Sequence, residues 1–157
     1  MSLMEPDFDA ASAAFADAAL GDRLAPEIEA LLRRSATLRQ QPMQALALLE
    51  QARELAPSHP VPLIALYRFH FFGHELARAR DVGTQACKVA RGVLGPRLDE
   101  KNPSLEATRS DAAVRFYLFT LKGLAYLNLR LGDFTQARIF LGESRRLDPD
   151  AVSYTHL

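Results

Sequence analysis

Ala45 and Ala79 stand 34 residues apart, and Ala52 and Ala86 repeat that interval. Small side chains returning at one long period mark a chain built from a unit stacked on copies of itself, because a single such unit cannot bury its apolar face. The unit is helical. Between Pro26 and Val93 apolar residues recur at three-and-four spacing, as in Ile28, Leu31, Leu32 and again Leu46, Leu49, Ala52, without sustained two-residue alternation. Pro42 opens one helix in its first turn, Pro57-Ser58-His59-Pro60 closes it and opens the next, and Phe72-Gly73-His74 separates a third from a fourth. Small residues let packed helices approach to about 8–10 Å, so Ala79 and Ala137 are expected to be buried within their hairpins.

A third copy of the pattern follows Leu131-Gly132-Asp133-Phe134-Thr135-Gln136-Ala137 and runs through Leu141 and Ser144 to Leu147-Asp148-Pro149. The sets Ala45, Leu49, Ala52, Pro57 and Ala137, Leu141, Ser144, Pro149 match one another, with Ala79, Gly83, Ala86, Arg91 as a weaker middle copy. This resembles the tetratricopeptide repeat family, whose second helices carry Ala-x3-Phe-x2-Ala-x4-Pro. The first helix of the third unit supplies Leu121, Leu124 and Ala125, which suit that family, whereas Arg33 stands where the first unit would need a small residue. The resemblance implies an all-α, right-handed stack of antiparallel helical hairpins with about seven helices. The aromatic runs Leu66-Tyr67-Arg68-Phe69-His70-Phe71-Phe72-Gly73-His74 and Arg115-Phe116-Tyr117-Leu118-Phe119-Thr120-Leu121-Lys122-Gly123 resemble small repeat proteins encoded near bacterial nitrogen-fixation genes, and imply that context.

This divides the chain into an acidic N-terminal segment, 1–25, a repeat domain, 26–149, and a tail, 150–157. The repeat domain holds units at 26–59, 60–91 and 111–149, with an insertion at 92–115 whose Gly92, Gly95-Pro96 and Asn102-Pro103 read as a loop or as helix extensions around one. Pro6 to Leu20 is expected to add a helix capped by Asp7 or Asp9. Met1-Ser2-Leu3 before Met4 reads as an expression scar, and the tail is either foreign sequence or a natural frayed end. On the last helix Phe140, Leu141 and Leu147 are expected to leave an apolar outer face, which a further helix or a homodimer through that helix would cover.

Catalytic chemistry finds little purchase. One cysteine among 157 residues excludes an internal disulfide and a four-thiolate zinc site, and makes a cytoplasmic, reducing setting the expectation. No apolar run approaches the roughly 20 residues that span a bilayer, and the N-terminus lacks a signal-peptide pattern. His70 and His74, four apart, would share a face of one continuous helix as helical zinc ligands do, but Gly73 intervenes, Phe71 stands where a metalloprotease has Glu, and no third ligand is placed. A capping or polar-turn role is the alternative. Cys87 lies with Ala86 and Ala90 on a packing helix, as a small buried hydrophobe would. Asp99-Glu100 reads as solvated loop, and no phosphate loop, nucleophile elbow or triad is present. Neither an enzyme, a metal nor a cofactor is expected.

The remaining candidate is a binding groove. In tetratricopeptide stacks the first helices of successive units line the concave face, and the resemblance places Ala30, Arg34 and Thr37, then Ile64, Arg68, Phe71 and Phe72, then Phe119, Lys122, Tyr126 and Arg130 there. Guanidinium forks hold carboxylates while rings bury apolar groups, so the groove of Arg34, Arg68, Phe71, Phe72, Phe119, Lys122, Tyr126 and Arg130 would suit an acidic, hydrophobic peptide or helix. The family's C-terminal carboxylate clamp needs Lys and Asn at positions held here by Ala30, Arg34 and Lys122, so a chaperone tail is not implied. The sequence thus reads as a non-catalytic protein-interaction adaptor. Phe69, Phe116 and Tyr117 are expected to belong to the core. The alternative is a nucleic-acid-binding or regulatory repeat. Glu5, Asp7, Asp9, Asp17 and Asp22 concentrate a charge of −5 in the first 22 residues and leave +5 on the remainder of a chain neutral overall, a weak basis for phosphate binding.

Overall fold

The computed structural model describes residues 24–95 and 112–149. Every regular element among them is a helix: α1 (Pro26–Ala36), α2 (Pro42–Leu55), α3 (Pro60–Phe72), α4 (Leu76–Leu94), α5 (Ala112–Arg130) and α6 (Phe134–Leu147). Six helices stand among the described residues, where the resemblance implied about seven for the whole chain. The N-terminal helix expected over Pro6 to Leu20 lies outside the described residues, as do Asp99-Glu100, most of the insertion and the tail. Each helix packs on the next in the chain, most extensively α3 on α4, α4 on α5 and α5 on α6, the consecutive packing that a helical repeat produces.

Local chemistry sets the boundaries. Pro26, Pro42 and Pro60 each occupy the first helical position, where their fixed φ suits the helix and the missing N–H was an orphan donor anyway. The His59 imidazole caps α3, its Nδ1 accepting from the Val61 N–H at 3.2 Å. Between α5 and α6, Gly132 takes a left-handed φ of 84°, and the Asp133 carboxylate then accepts from the Gln136 N–H at 3.1 Å. Between α3 and α4 the left-handed residue is His74, with φ 60°, rather than its neighbour Gly73.

The core centres on α5, where twelve of nineteen residues are buried and the apolar character runs almost around the helix. Leu63, Leu66 and Tyr67 of α3 and Leu94 of α4 meet Phe116, Tyr117, Leu121, Leu124 and Leu127 of α5. Ala45, Ala52, Ala79, Ala86 and Ala137 are all buried, as the small-residue pattern requires. Gly83 and Gly123 serve a more particular end: the Tyr67 ring lies against both, and a Cβ on Gly123 would fall 2.7 Å from the phenolic oxygen. Arg33 points to solvent, so it does not disturb α1. α4 and α5 run to 19 residues each, so helix extension takes up part of the insertion.

The last helix departs from expectation. Leu147 is buried in the core cluster and Phe140 and Leu141 are half-buried, so they do not form an exposed outer face; Phe134 and Ile139 are the large apolar residues of α6 that face solvent. A polar cluster on this helix reaches α5 through Tyr117. Arg146 donates to both oxygens of Glu143, from Nε at 3.0 Å and Nη2 at 2.7 Å, and the Tyr117 hydroxyl donates weakly to the same carboxylate at 3.5 Å. The arginine holds the Glu143 carboxyl below its ordinary range, while burial pushes Tyr117 up to about 12.

Candidate functional site

α3 and α5 are separated in sequence by α4, yet their side chains meet. Tyr67 projects from α3 toward Gly123 of α5, and one helical turn further along Phe71 stacks on Tyr67 with ring centroids 6.2 Å apart. Phe71 also meets Tyr126 of α5 at 5.9 Å, tilted by 44°, and Phe72 edge-on at 5.9 Å. Tyr126 in turn carries Arg130, four residues on: the guanidinium lies 5.6 Å from the ring centroid and its Nη1 donates to the phenolic oxygen at 2.6 Å. The rings of Phe72, Phe71 and Tyr126 and the Arg130 guanidinium therefore form a continuous strip from α3 to α5, with Tyr67 packed beneath it.

Phe72 is the strip's most open ring, 60% exposed, and Arg130 is exposed at its other end. Phe71 and Tyr126 between them are half-buried. An aromatic strip of this kind offers apolar area with little rotamer entropy to lose, and a guanidinium beside it selects a carboxylate among polar neighbours. On the same helix Lys122 lies 5.8 Å from the Phe119 ring, and both are half-buried, as is Arg68 on α3.

Of the residues proposed from sequence, Phe71, Phe72, Tyr126 and Arg130 are brought into one cluster, with Phe119 and Lys122 paired beside each other on α5. Arg34 is exposed in the last turn of α1, a helix whose main packing is on α2, and joins none of these contacts. Ile64 is buried in the core and lines no groove. Phe116 and Tyr117 are core residues as expected, and Phe69 is half-buried against the same core. Tyr67 is the residue whose part was missed; a glycine in the middle of the apolar helix 112–130 is the signal for its close approach. Asn128 was missed too. It is buried, donates to the Leu124 carbonyl at 2.8 Å and accepts from Arg80 of α4 at 3.3 Å, tying the end of α5 to α4.

The histidine pair does not share a helix face. α3 stops at Phe72, His70 is 96% buried, and His74 sits exposed in the turn. Burial, reinforced by Arg78, lowers the His70 pKa against the opposing effect of Glu50 and Glu75. Among the described residues no group of three or more His, Cys, Asp or Glu is placed to hold a metal. Cys87 is buried against α5, and burial raises its thiol pKa against the opposing effect of a Thr120 hydrogen bond. No helix among the described residues is long and apolar enough to cross a membrane.

Among the described residues, fold and strip together define a protein of consecutively packed helices that presents an aromatic and cationic face. The chain is 33% identical over 153 residues, spanning 92% of its own length and 80% of the other, to the "Uncharacterized 19.8 kDa protein in nifW 5'region" of Azotobacter chroococcum mcd 1, and it belongs to the same family as that protein. The nifW 5' region in this relative's name agrees with the resemblance to small proteins encoded near nitrogen-fixation genes. No family model matches the sequence, that of the tetratricopeptide repeat included. No solved structure matches it.

Proposed function

We propose that this chain is a non-catalytic, cytoplasmic adaptor, a right-handed stack of tetratricopeptide-like hairpins, that serves nitrogen fixation by docking a protein segment on the face made by α3 and α5. The segment is an apolar stretch or helix carrying acidic side chains. The carrying observation is the strip Phe72, Phe71, Tyr126, Arg130, in which apolar area and a guanidinium are continuous across two helices distant in sequence. Arg68, Phe119 and Lys122 extend its chemistry along the same helices, while Arg34 has no part in it. The family relative in a nifW 5' region supports the setting.

The test is a paired capture. Tagged native chain and the double variant Phe72→Ala, Arg130→Glu are purified from a nitrogen-fixing host, and co-purifying proteins are identified and then titrated in pure form. Both residues are exposed, so the variant should melt within a few degrees of the native chain, exposed substitutions costing about half a kcal/mol or less. The reading requires that a pure partner bind the native chain and lose at least about tenfold in affinity with the variant. Equal binding by a folded variant removes this face from the function, and salt-steep binding of oligonucleotide instead transfers it to the nucleic-acid alternative.

A further inference from the structure

The residues of α5 that escape burial fall on one line. Arg115, Phe119, Lys122, Tyr126 and Arg130 succeed one another at intervals of three or four, Ala112 and Leu129 stand at its two ends, and every residue between is buried. At 1.5 Å per residue the line from Arg115 to Arg130 is about 22 Å long. α3 lies beside it through the contact of Phe71 with Tyr126, and adds the half-buried Arg68 and the exposed Phe72. The charge of this surface is one-sided. Neither α3 nor α5 contains an Asp or Glu, while the two helices carry Arg68, Arg115, Lys122 and Arg130. The described carboxylates next along the chain are Glu75 and Asp133, and four cations against those two still leave +2. Asp133 is moreover engaged in capping α6. α1, with Glu27, Glu29, Arg33 and Arg34, is neutral.

The chain holds a segment of the opposite kind. Residues 5–22 contain Glu5, Asp7, Asp9, Asp17 and Asp22, no Lys or Arg, and two rings, Phe8 and Phe15. Phe8 and Phe15 are seven apart, as are Phe119 and Tyr126; Asp9 and Asp17 are eight apart, as are Lys122 and Arg130. In the helix expected over that stretch seven residues make about two turns, so both rings return to one side. The segment is also within reach. Phe15 stands eleven residues before Pro26, where α1 opens, and that length of chain extends to about 36 Å. From α1 by way of α2 to α3 and then α5 is three interhelix steps of about 8–10 Å. A tethered segment acts at an effective concentration of about 1 mM, so an affinity of only about 0.1 mM keeps it in place about nine-tenths of the time.

We propose that the acidic segment 5–22 lies on the α3 and α5 face of its own chain, its rings against Phe119, Tyr126 and Phe72 and its carboxylates over Lys122 and Arg130. This rests on the reading of that face as a docking surface and names its resident occupant. An incoming acidic, apolar partner segment then binds by displacing one of like chemistry, which raises the affinity a partner needs and rejects weak competitors.

The experiment attaches a nitroxide at Ser12→Cys in the full chain carrying Cys87→Ala, and follows its resonances by two-dimensional NMR. Signals of Phe72, Lys122 and Tyr126 should be broadened away, while those of Met43 on α2 and Lys88 on α4, both exposed, are kept. The chain without substitutions gives an independent reading, a nuclear Overhauser contact between the rings of Phe15 and Tyr126. Asp9→Lys with Asp17→Lys, which alters none of the described helices, should lower the ratio of docked to undocked segment by about tenfold, two attractions having become repulsions. Adding Lys122→Glu and Arg130→Glu to that variant should restore the broadening. The proposal is overturned if Phe72, Lys122 and Tyr126 keep the intensity of Met43 and Lys88, or if the broadening survives the charge reversal. It is overturned equally if the broadening passes to chains without nitroxide mixed with the labelled ones, which would put the segment on a second copy. A partner that binds through Phe72 and Arg130 while the nitroxide leaves the face untouched overturns this proposal alone. Broadening of the face with no partner that depends on it supports the proposal and removes the partner-docking reading instead.

Discussion

Placing a methyl group on Gly123 tests the seam between α3 and α5 on which the aromatic strip depends. The new Cβ would lie 2.7 Å from the Tyr67 phenolic oxygen and 3.4 Å from the ring carbon that bears it, so the hydroxyl is the clash and the ring itself is in ordinary contact. Tyr67 has little room to yield, being 98% buried, stacked on Phe71 and pressed against Gly83 on its other side. Forcing a methyl into such a core costs about 1–3 kcal/mol. Replacing glycine by alanine within a helix returns about 1 kcal/mol. Gly123→Ala alone should therefore destabilise by about 1 kcal/mol, a fall in melting temperature of about 3 °C for a chain of this size. In a Tyr67→Phe background the clash is gone and only the helix propensity remains, so the same substitution should stabilise by up to about 1 kcal/mol. Urea denaturation of the four chains, followed by far-ultraviolet circular dichroism, measures both effects, and the cycle should show a coupling of about 2 kcal/mol between the two positions. If Gly123→Ala stabilises the chain that retains Tyr67, or if the two changes simply add, the packing of Tyr67 across this seam is wrong.

Three further outcomes follow from other parts of the structure. Ser144 is fully buried with an oxygen that meets no hydrogen-bonding group of the protein, so Ser144→Ala should raise stability by about 1 kcal/mol in the same denaturation assay. Glu143 has its pKa lowered by Arg146, so its stabilising effect is present above the ordinary carboxyl value of 4.5 and is lost as pH falls through the lower folded value. Arg146→Gln should accordingly cost about 0.5–1 kcal/mol at neutral pH and much less at low pH, read as the difference between two stability profiles. The Cys87 thiol is buried with a raised pKa, so labelling by a thiol reagent should be slow in native buffer and speed up through the unfolding transition; rapid labelling of the native chain would contradict its burial.

Small residues were the most legible feature of the chain, because the distance between packed helices permits little bulk and a fixed period repeats that demand at Ala45, Ala52, Ala79, Ala86 and Ala137. Helix starts at Pro42 and Pro60 were equally open to reading, since each rests on the conformational limits of one or two residues. His70 was not. Its spacing from His74 suggested a shared face, but the chain turns left-handed at His74, ends α3 at Phe72, and leaves His70 inside between α2 and α4. Leu147 matched an exposed stripe in spacing alone and is drawn into the core by its packing against earlier helices. Within the strip, rings and cations were visible as residue types, while the pairing of Phe71 with Tyr126 depends on how α3 and α5 lie against each other, which no local pattern encodes. Arg34 shared their chemistry and was separated from them by the packing of α1 on α2.

The central claim, that the α3 and α5 face is where a partner docks, is met most directly by site-specific photocrosslinking in a nitrogen-fixing host cell that expresses the chain. A benzophenone amino acid at Phe72, exposed at the end of the strip, is compared with the same group at Met43, which is 78% exposed on α2 and far from the strip in sequence. The account predicts a discrete crosslinked protein from position 72, absent from position 43 and lost when Arg130 is changed to Glu. A crosslink of equal yield from both positions, or from position 43 alone, would contradict it.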